Sequence, residues 1–486
     1  MKALFLRDAQ SGLPSAGAPM TDVQFLEREI AAWLESKERA AQIAGEEYYN
    51  GNQAITCRER RVVDASGEMH RVNRLPNNRI VDNQYAKMVD QKTNYLLGRP
   101  FSFDTGNDAA YDAALGDVFS RKTRRLLRNV AEAAYTGGKA WVYPYYGQDG
   151  ALAFTAFPAH EILPFWADRE HTELDAAVRL YAVTRYNDLG KADTVNKAEV
   201  YHAGGIDRFE WKKGKLIPDP DNPPGSHAVV SAGGKDAPYN WERLPLVCFK
   251  ANRRETPLLL RVKCLQDALN LMLSNFANNM EEDVRNTVLV LKNYDGEDLG
   301  DFRHNLTVYG AVKVRDINGA PGGVETLTIE VNAENYKAIL ELLKKAIVEN
   351  ARGFDAKDDR LSGTPNQLNI RSMYSDIDLD ANELEAEFQA AFEELLWFVN
   401  QYLANSGKGA FDVADVKVIF DRDILVNESE TIDNGVKSAG ILSRETIVKQ
   451  HPWVSDPAEE IKRIQKEEQP DTDRAAFNAS RAKQDE

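Results

Sequence analysis

The sequence predicts an α+β protein of several subdomains, and three observations carry that reading. The first half mixes helix-period segments with runs rich in aromatic and β-branched residues. The second half holds three long helix-period segments. A small strand-rich module separates the first two of these. The chain has 486 residues, more than one core usually covers, and its 43% hydrophobic residues are enough to bury real cores.

Taken in order, residues 21–50 read as a helix capped by Thr21 or Asp22, with Phe25, Ile30, Trp33 and Leu34 on one stripe. Residues 52–76 are a loop or hairpin. In "NNRIVDNQYAKMVDQKTNYLLGRPFSF", 77–103, Asn77 or Asn78 caps a helix striped by Val81, Tyr85, Met88, Val89, Tyr95 and Leu96. Gly98 ends it, Pro100 prevents continuation, and "RPFSFDT" alternates like a strand. A helix over 108–136 ends at Gly137-Gly138. Strand patterns follow in "KAWVYPYYG", "LAFTAFPAHEILPFWA" and "LPLVCFKAN", and 215–240 reads as a loop insertion.

From 256 to 284, Leu258, Val262, Leu265, Leu269, Met272, Phe276 and Met280 recur at steps of four and three. That spacing predicts a helix about 40 Å long. "NTVLVLKN", a helix near 296–308, "GAVKVRD" and "VETLTIEV" make the small module. A second long helix covers 333–352. The polar "GFDAKDDRLSGTPNQLN", 353–369, leads to a third over 370–404, striped by Ile377, Ala381, Leu384, Phe388, Leu395, Val399 and Tyr402. A strand in "DVKVIFDRDIL" precedes helical segments from 428 to 468. There Asp456, Pro457 and Glu459 suit a capped helix start. The charged tail from 469 reads as disordered.

Composition excludes several functions. With 60 basic and 76 acidic residues the net charge is −16, unlike a protein that grips nucleic acid over a wide face. Cys57, Cys248 and Cys264 are odd in number and far apart, which suits reduced thiols in a cytosolic protein. The first residues lack the apolar stretch of a signal peptide, and no run reaches the ~18 apolar residues of a membrane span.

Chemistry is equally sparse. "GGKA" at 137–140, "GGKD" at 233–236 and "SGKG" at 406–409 lack the first glycine and the hydroxyl of a phosphate loop, so they read as turns. His70, His160, His171, His202, His227, His304 and His451 form no zinc spacing, and no GxSxG elbow occurs. The acidic run 376–394 could hold Mg²⁺, but the solvated face of an amphipathic helix is the better reading. "SRKTRRLLRNV", 120–130, is the one dense basic run. It could touch phosphate, although pairing with acidic neighbours, including those across a subunit boundary, fits better. No cofactor is expected.

The ordered set of segments resembles the portal proteins of tailed bacteriophages, specifically the SPP1-type, Gp6-like family. The pieces that carry the likeness are the 77–103 stretch, "GKAWVYPYY", "FPAHEILPFW", "LPLVCFKAN", "LQDALNLMLSN", "LSGTPNQLNIRSMYSDIDLDANELEAEF" and "GILSRETIVKQHPWVSDPAEE". Each alone is weakly specific, but together and in order they span about 45–468. The resemblance implies the portal fold: a mixed α/β wing over 1–255 and again over 371–427, stem helices over 256–285 and 332–352, an α/β clip over 286–331, a tunnel loop over 353–370, a helical crown over 428–468 and a tail over 469–486.

The likeness further implies a non-enzymatic ring of about twelve subunits at one capsid vertex, assembled in the host cytoplasm. Its partners would be double-stranded DNA in the channel, the terminase that packages it, head-completion or adaptor proteins, and scaffolding and major capsid proteins, with no membrane. Residues expected to face DNA are Asp355, Lys357, Asp358, Asp359, Arg360, Asn366 and Gln367. Residues expected on a docking surface of the clip are Asp295, Glu297, Asp298, Arg303, Arg315 and Asp316. Another head–tail connector or minor capsid protein is the alternative, and a packaging nuclease or ATPase ranks third.

Overall fold

The computed structural model describes residues 22–468 apart from 64–66, 72–74, 107, 187–189, 233–234, 284–286, 294–297, 299, 301, 303–307, 309–313, 316–318, 320, 329–332, 356–366, 423–427 and 455–456. The mixed helix and sheet architecture is the expected one. The helix expected over 21–50 is two, α1 (Asp22–Leu34) and α2 (Lys37–Tyr49). Ser36 makes the break, because its hydroxyl accepts from the Arg39 N–H at 3.1 Å and caps α2. The break lets α1 bury Leu26, Ile30 and Trp33 against a sheet while α2 packs elsewhere.

A hairpin of β1 (Arg61–Val63) and β2 (Met69–Arg71) follows, then α3 (Gln84–Leu97). Its cap is Asn83, not Asn77 or Asn78. Residues 77–83 stay extended because side chains of a distant helix take up their N–H groups. After β3 (Ser102–Asp104), the helix expected over 108–136 is also two, α4 (Ala109–Val118) and α5 (Arg121–Gly137). Phe119 leaves helical geometry between them and sends its ring into an aromatic core. Gly138 ends α5 at φ 82°, and a Cβ there would run into the Glu255 carbonyl.

The strands β4 (Lys139–Tyr146), β5 (Leu152–Pro158), β6 (Ile162–Trp166), β7 (Leu174–Tyr186), β8 (Ala192–His202), β9 (Gly205–Lys212), β10 (Lys215–Pro218), β11 (Ala228–Ala232), β12 (Lys235–Tyr239) and β13 (Val247–Lys250) come next. They form an antiparallel meander β10-β9-β8-β7-β6, a three-stranded sheet β13-β4-β5 and a β11–β12 hairpin. The 215–240 segment is therefore not a bare loop. Lys213 and Gly214, both at positive φ, turn the chain tightly enough for β10 to pair with β9.

Three long helices dominate the second half: α6 (Leu259–Asp283), α7 (Ala333–Asn350) and α8 (Gln367–Asn405). Between α6 and α7, β14 (Thr287–Lys292) pairs with β15 (Gly323–Thr328). The expected 296–308 helix and "GAVKVRD" strand lie largely outside the described residues. β16 (Lys417–Ile419) pairs with β3, and α9 (Glu428–Ser438), α10 (Arg444–Lys449) and α11 (Pro457–Glu468) close the description. Asp456 and the tail lie outside it. The main core gathers on α8, where Leu384, Phe388, Phe392, Leu395, Val399 and Leu403 are buried and the helix packs on α3 and β13. Cys57, Cys248 and Cys264 are free thiols.

Candidate functional site

α6 carries two stripes. Leu259, Val262 and Leu269 enter the main core, and Phe276 meets Tyr336 of α7 at 5.0 Å between ring centroids. The second stripe, Gln266, Asn270, Ser274 and Asn278, is polar and buried. Its oxygens accept from the backbone N–H of Tyr85 at 3.0 Å, Asp82 at 3.0 Å, Ile80 at 3.0 Å and Asn78 at 2.7 Å. Four residues of helix rise about 6.0 Å and two of extended chain about 6.6 Å, so the rungs at Asn78, Ile80 and Asp82 stay in step, and the Tyr85 rung falls in the first turn of α3. Unpaired buried N–H groups are costly, and this ladder is why the chain does not turn helical at Asn77. The signal was four polar residues at steps of four on a helix otherwise read by its leucines.

α3 also clamps the root of the polar segment that follows α7. Gln91 donates to the Phe354 carbonyl at 2.7 Å and accepts from the Phe354 N–H at 2.8 Å. Lys92, almost wholly buried, donates to Asp380 at 2.7 Å and to the Arg352 carbonyl at 3.1 Å. Arg261 of α6 takes the other Asp380 oxygen at 2.8 Å. Burial lowers the Lys92 pKa, with Asp380 opposing. On the far side of the segment, Tyr374 of α8 stacks on Phe354 at 4.3 Å and on Tyr95 at 5.7 Å. Tyr95 in turn donates to Asp378 at 2.5 Å. α3 thus holds Phe354 before the segment and Tyr374 of α8 after it.

These contacts correct the reading of 376–394 as a solvated face. Asp380 is buried between two cations, and Asp378 and Glu385 hold Arg422 at 3.1 and 2.7 Å. Of the residues expected to face DNA, Asp355 is half-buried at the clamped root. Gln367 is the first residue of α8. Lys357, Asp358, Asp359, Arg360 and Asn366 lie outside the described residues. In the module between α6 and α7, Asp298 is exposed and accepts from the Gly300 N–H at 2.7 Å. Arg315 is exposed, with its N–H on the Asn293 carbonyl at 2.9 Å. Asp295, Glu297, Arg303 and Asp316 lie outside the description.

Elsewhere charges are spent on structure. Lys139, after the first glycine pair, is buried against Glu255 at 2.6 Å and Glu38 at 3.1 Å. It borders a cleft of about 1070 Å³ that also holds His171, Lys250, Cys248, Glu387 and Glu394. Burial would raise the Glu255 carboxyl, but Lys139 and His171 outweigh it and hold it at about 2. Burial pushes the Cys248 thiol up to about 12, so it stays protonated and a poor nucleophile. Glu210, Asp219 and Asp221 converge as metal ligands would, but the Lys197 ammonium sits 3.2 Å from Glu210 and 2.8 Å from Asp219. Lys212 at 2.5 Å from Glu210, and Arg185 against Glu210 and Asp221, add two more cations, so three positive charges face the three carboxylates.

In the basic run, Arg124 caps the carbonyls of Phe101 and Phe119, and Arg128 donates to Asn94 at 2.5 Å. Burial raises the Glu132 carboxyl, with Tyr49 and the run's Arg128, four residues earlier on the same helix, opposing it.

Residues 26–473 match the family model for the phage portal protein, SPP1 Gp6-like. The chain belongs to that family. It is 28% identical to the portal protein of Bacillus phage SPP1 over 436 residues, covering 87% of this chain and 83% of the relative. It is 27% identical to the portal protein of Clostridium phage phiCD119, covering 87% and 90%. Among solved structures, the neck of an empty GTA particle with C6 symmetry aligns at 11% identity and a TM-score of 0.39, over 75% of this chain and 88% of that one. The neck of a native GTA particle with C12 symmetry aligns at 12% and 0.37, over 74% and 87%. No helix among the described residues is long and apolar enough to cross a membrane.

Proposed function

We propose that this portal protein assembles as a ring of about twelve copies at one capsid vertex, with double-stranded DNA passing through its axial channel, a closed ring being the natural product of repeated head-to-tail contacts. The single observation that carries this is the family match across nearly the whole chain. α6 and α7 are the stem, β14–β15 the clip, 353–370 the tunnel loop, 428–468 the crown, and the remaining α/β elements the wing. Terminase drives DNA inward through the ring, and head-completion proteins later dock on the clip. An acidic chain suits this role, since a strongly basic lining would bind phosphates and stall sliding.

The clamped root of the 353–369 segment supports the loop assignment. Gln91, Lys92 and Tyr95 tie the described residues on either side of the segment to α3. Mass photometry of the purified protein across concentration and salt tests the ring. Species of about a dozen subunits are expected, and monomers and dimers alone under all conditions would overturn the reading.

A further inference from the structure

The cleft beside Lys139 offers more than the ion pairs at its edge. Its volume of about 1070 Å³ reaches the upper end of small-molecule pockets. One wall is apolar, built from Trp33 of α1, Leu163 and Pro164 of β6 and Leu260 of α6, which is left 56% exposed. The floor is α8, where Ala390 and Ala391 lie between Glu387 and Glu394. Two methyl groups make a shallow floor on which bulkier apolar side chains can lie. The indole N–H groups of Trp33, only 6% exposed, and of Trp166 are buried and find no acceptor among the described residues.

Several charges of the cleft are already matched. Lys139, His171 and Lys250 converge on Glu255, and Arg253 reaches Glu170 at 4.0 Å. Glu387 is half-buried and Arg254 exposed, and neither side chain makes a hydrogen bond or ion pair among the described residues. Glu394 makes none either, but burial pushes its carboxyl up to about 7, and the neutral form donates a hydrogen bond. A matching occupant therefore carries a bulky apolar block, backbone carbonyls for the buried donors, and a cation beside an anion at one end.

The opening "MKALFLRDAQ" has that order: Leu4, Phe5 and Leu6, then Arg7 and Asp8. The next thirteen residues, "AQSGLPSAGAPMT", have the Gly, Pro, Ser and Ala composition of a linker. Extended, they reach about 43 Å at 3.3 Å per residue. α1 is about 20 Å long and its last turn brings Trp33 to the cleft, so a linker that starts at Asp22 can run back along the helix with length to spare. Residues 1–21 also precede the 26–473 match, so the family likeness assigns them nothing.

We propose that residues 4–8 of this chain dock in its own cleft, with Leu4, Phe5 and Leu6 over Ala390 and Ala391, and with Arg7 and Asp8 against Glu387 and Arg254. The segment then ties α1 and β6 to α8.

The test keeps the full chain. Phe5 is replaced by p-benzoylphenylalanine, the protein is irradiated, and the products are separated denatured and mapped by mass spectrometry. Links within one chain from position 5 to 33–41, 163–166, 257–260 or 387–394 are expected. Covalent dimers would put the segment on a second copy and overturn the proposal, as would links elsewhere or none.

A competition supplies a second route without photochemistry. Leu4→Ser, Phe5→Ser and Leu6→Ser together should vacate the cleft. A fluorescent peptide of residues 1–21 should then bind that variant at least about tenfold more tightly than the parent, whose tethered segment competes at a roughly millimolar effective concentration. Adding Glu387→Lys to the variant should abolish the gain, and adding Glu394→Gln should leave it. Equal binding to parent and variant, or binding to neither, overturns the proposal. Both readouts work on single chains, so their failure leaves the ring reading standing.

Discussion

The C-terminal half of α8 and the helices α9–α11 follow one another in the chain, and they bury their apolar residues in opposite ways. On α8, Phe388, Phe392, Leu395, Val399 and Leu403 are almost wholly buried, and Phe392 touches the rings of Phe101, Phe103, Phe119, Phe249 and Phe420. On 431–454, Val436, Ile441, Leu442 and Trp453 are all more than half exposed. None of the described residues beyond Phe420 joins the buried core. The first is part of one continuous helix, and the second is short helices joined by turns, with Ile441, Leu442 and Trp453 in the turns. One is held by its own chain, whereas the other, like the outer flanks of α6 and α7, presents apolar residues that a single chain does not cover. A subunit of an assembly is built in this divided way, because residues that are surface in the chain become interior in the whole.

The comparison breaks most visibly at Phe392. Phe392→Ala should cost about 3–5 kcal/mol, since five ring contacts and the space they fill are lost together. Chemical denaturation of the dissociated chain measures this. Trp453→Ala should leave that midpoint nearly unchanged, because an exposed side chain has little burial to lose. Equal losses at the two positions would erase the distinction between them.

The next effect is at the loop root. Asp380→Asn keeps the shape but leaves Lys92 buried with only the Arg352 carbonyl and a neutral amide. Removing one partner of a buried pair costs about 3 kcal/mol or more. Lys92→Met should be milder, because Asp380 keeps Arg261 at 2.8 Å and no cation is stranded. The thermal melts of the two variants give the order, and the reverse order would show that Arg261 does not sustain the carboxylate alone.

How much of this was legible beforehand follows from what each element rests on. The long helices, the strands β4, β5 and β13 and the glycine stop at 137–138 are written in local periodicity and turn chemistry, and a single sequence shows those. The breaks at Ser36 and Phe119 were missed because each side remains helical in pattern, and tertiary packing decides the kink. The late start of α3 was missed because its cause lies far along the chain. Asn78, Ile80 and Asp82 are held by Asn278, Ser274 and Asn270. Asp380 looked solvated for the same reason, since its partners Lys92 and Arg261 are remote in sequence.

A smaller effect should appear as pH dependence at the cleft. Burial raises the Glu394 carboxyl from 4.5 to about 7, with Arg243 and Lys250 opposing. Between those values the folded chain holds a proton that the unfolded chain has released, so stability falls as pH rises through the window and is flat above it. Glu255 acts with the opposite sign and lower down. Its pKa is held at about 2, so its contribution is present above its ordinary value of 4.5 and is lost as pH falls toward 2. Glu394→Gln should remove the upper slope and stabilise the chain at pH 8 by on the order of 1 kcal/mol. The full conversion would be about 3 kcal/mol, and water reaching the cleft reduces it. Denaturation midpoints from pH 4 to 8 provide the readout, and parallel curves for parent and variant would show that Glu394 titrates normally.

The smallest effect on stability should come with the largest on function, in the segment between the two clamped roots. Asp358 and Asp359 belong to a polar stretch bounded by Gly353 and flanked by Lys357 and Arg360. If the segment faces DNA, ring symmetry multiplies each change by the number of subunits, so Asp358→Lys with Asp359→Lys turns a mildly acidic set of charges into a strongly basic collar. Loop charges of this kind are worth little to folding, and the variant should melt with the parent and form the same rings. Packaging driven by purified terminase should slow or stop at low salt, because the collar grips the phosphate backbone. The defect should ease as salt rises and screens that grip. A defect that ignores salt would point to damaged assembly or motor docking instead. Normal packaging by intact variant rings at low salt would take the DNA-facing role away from this segment and leave the pinned root a purely architectural joint between α3, α7 and α8.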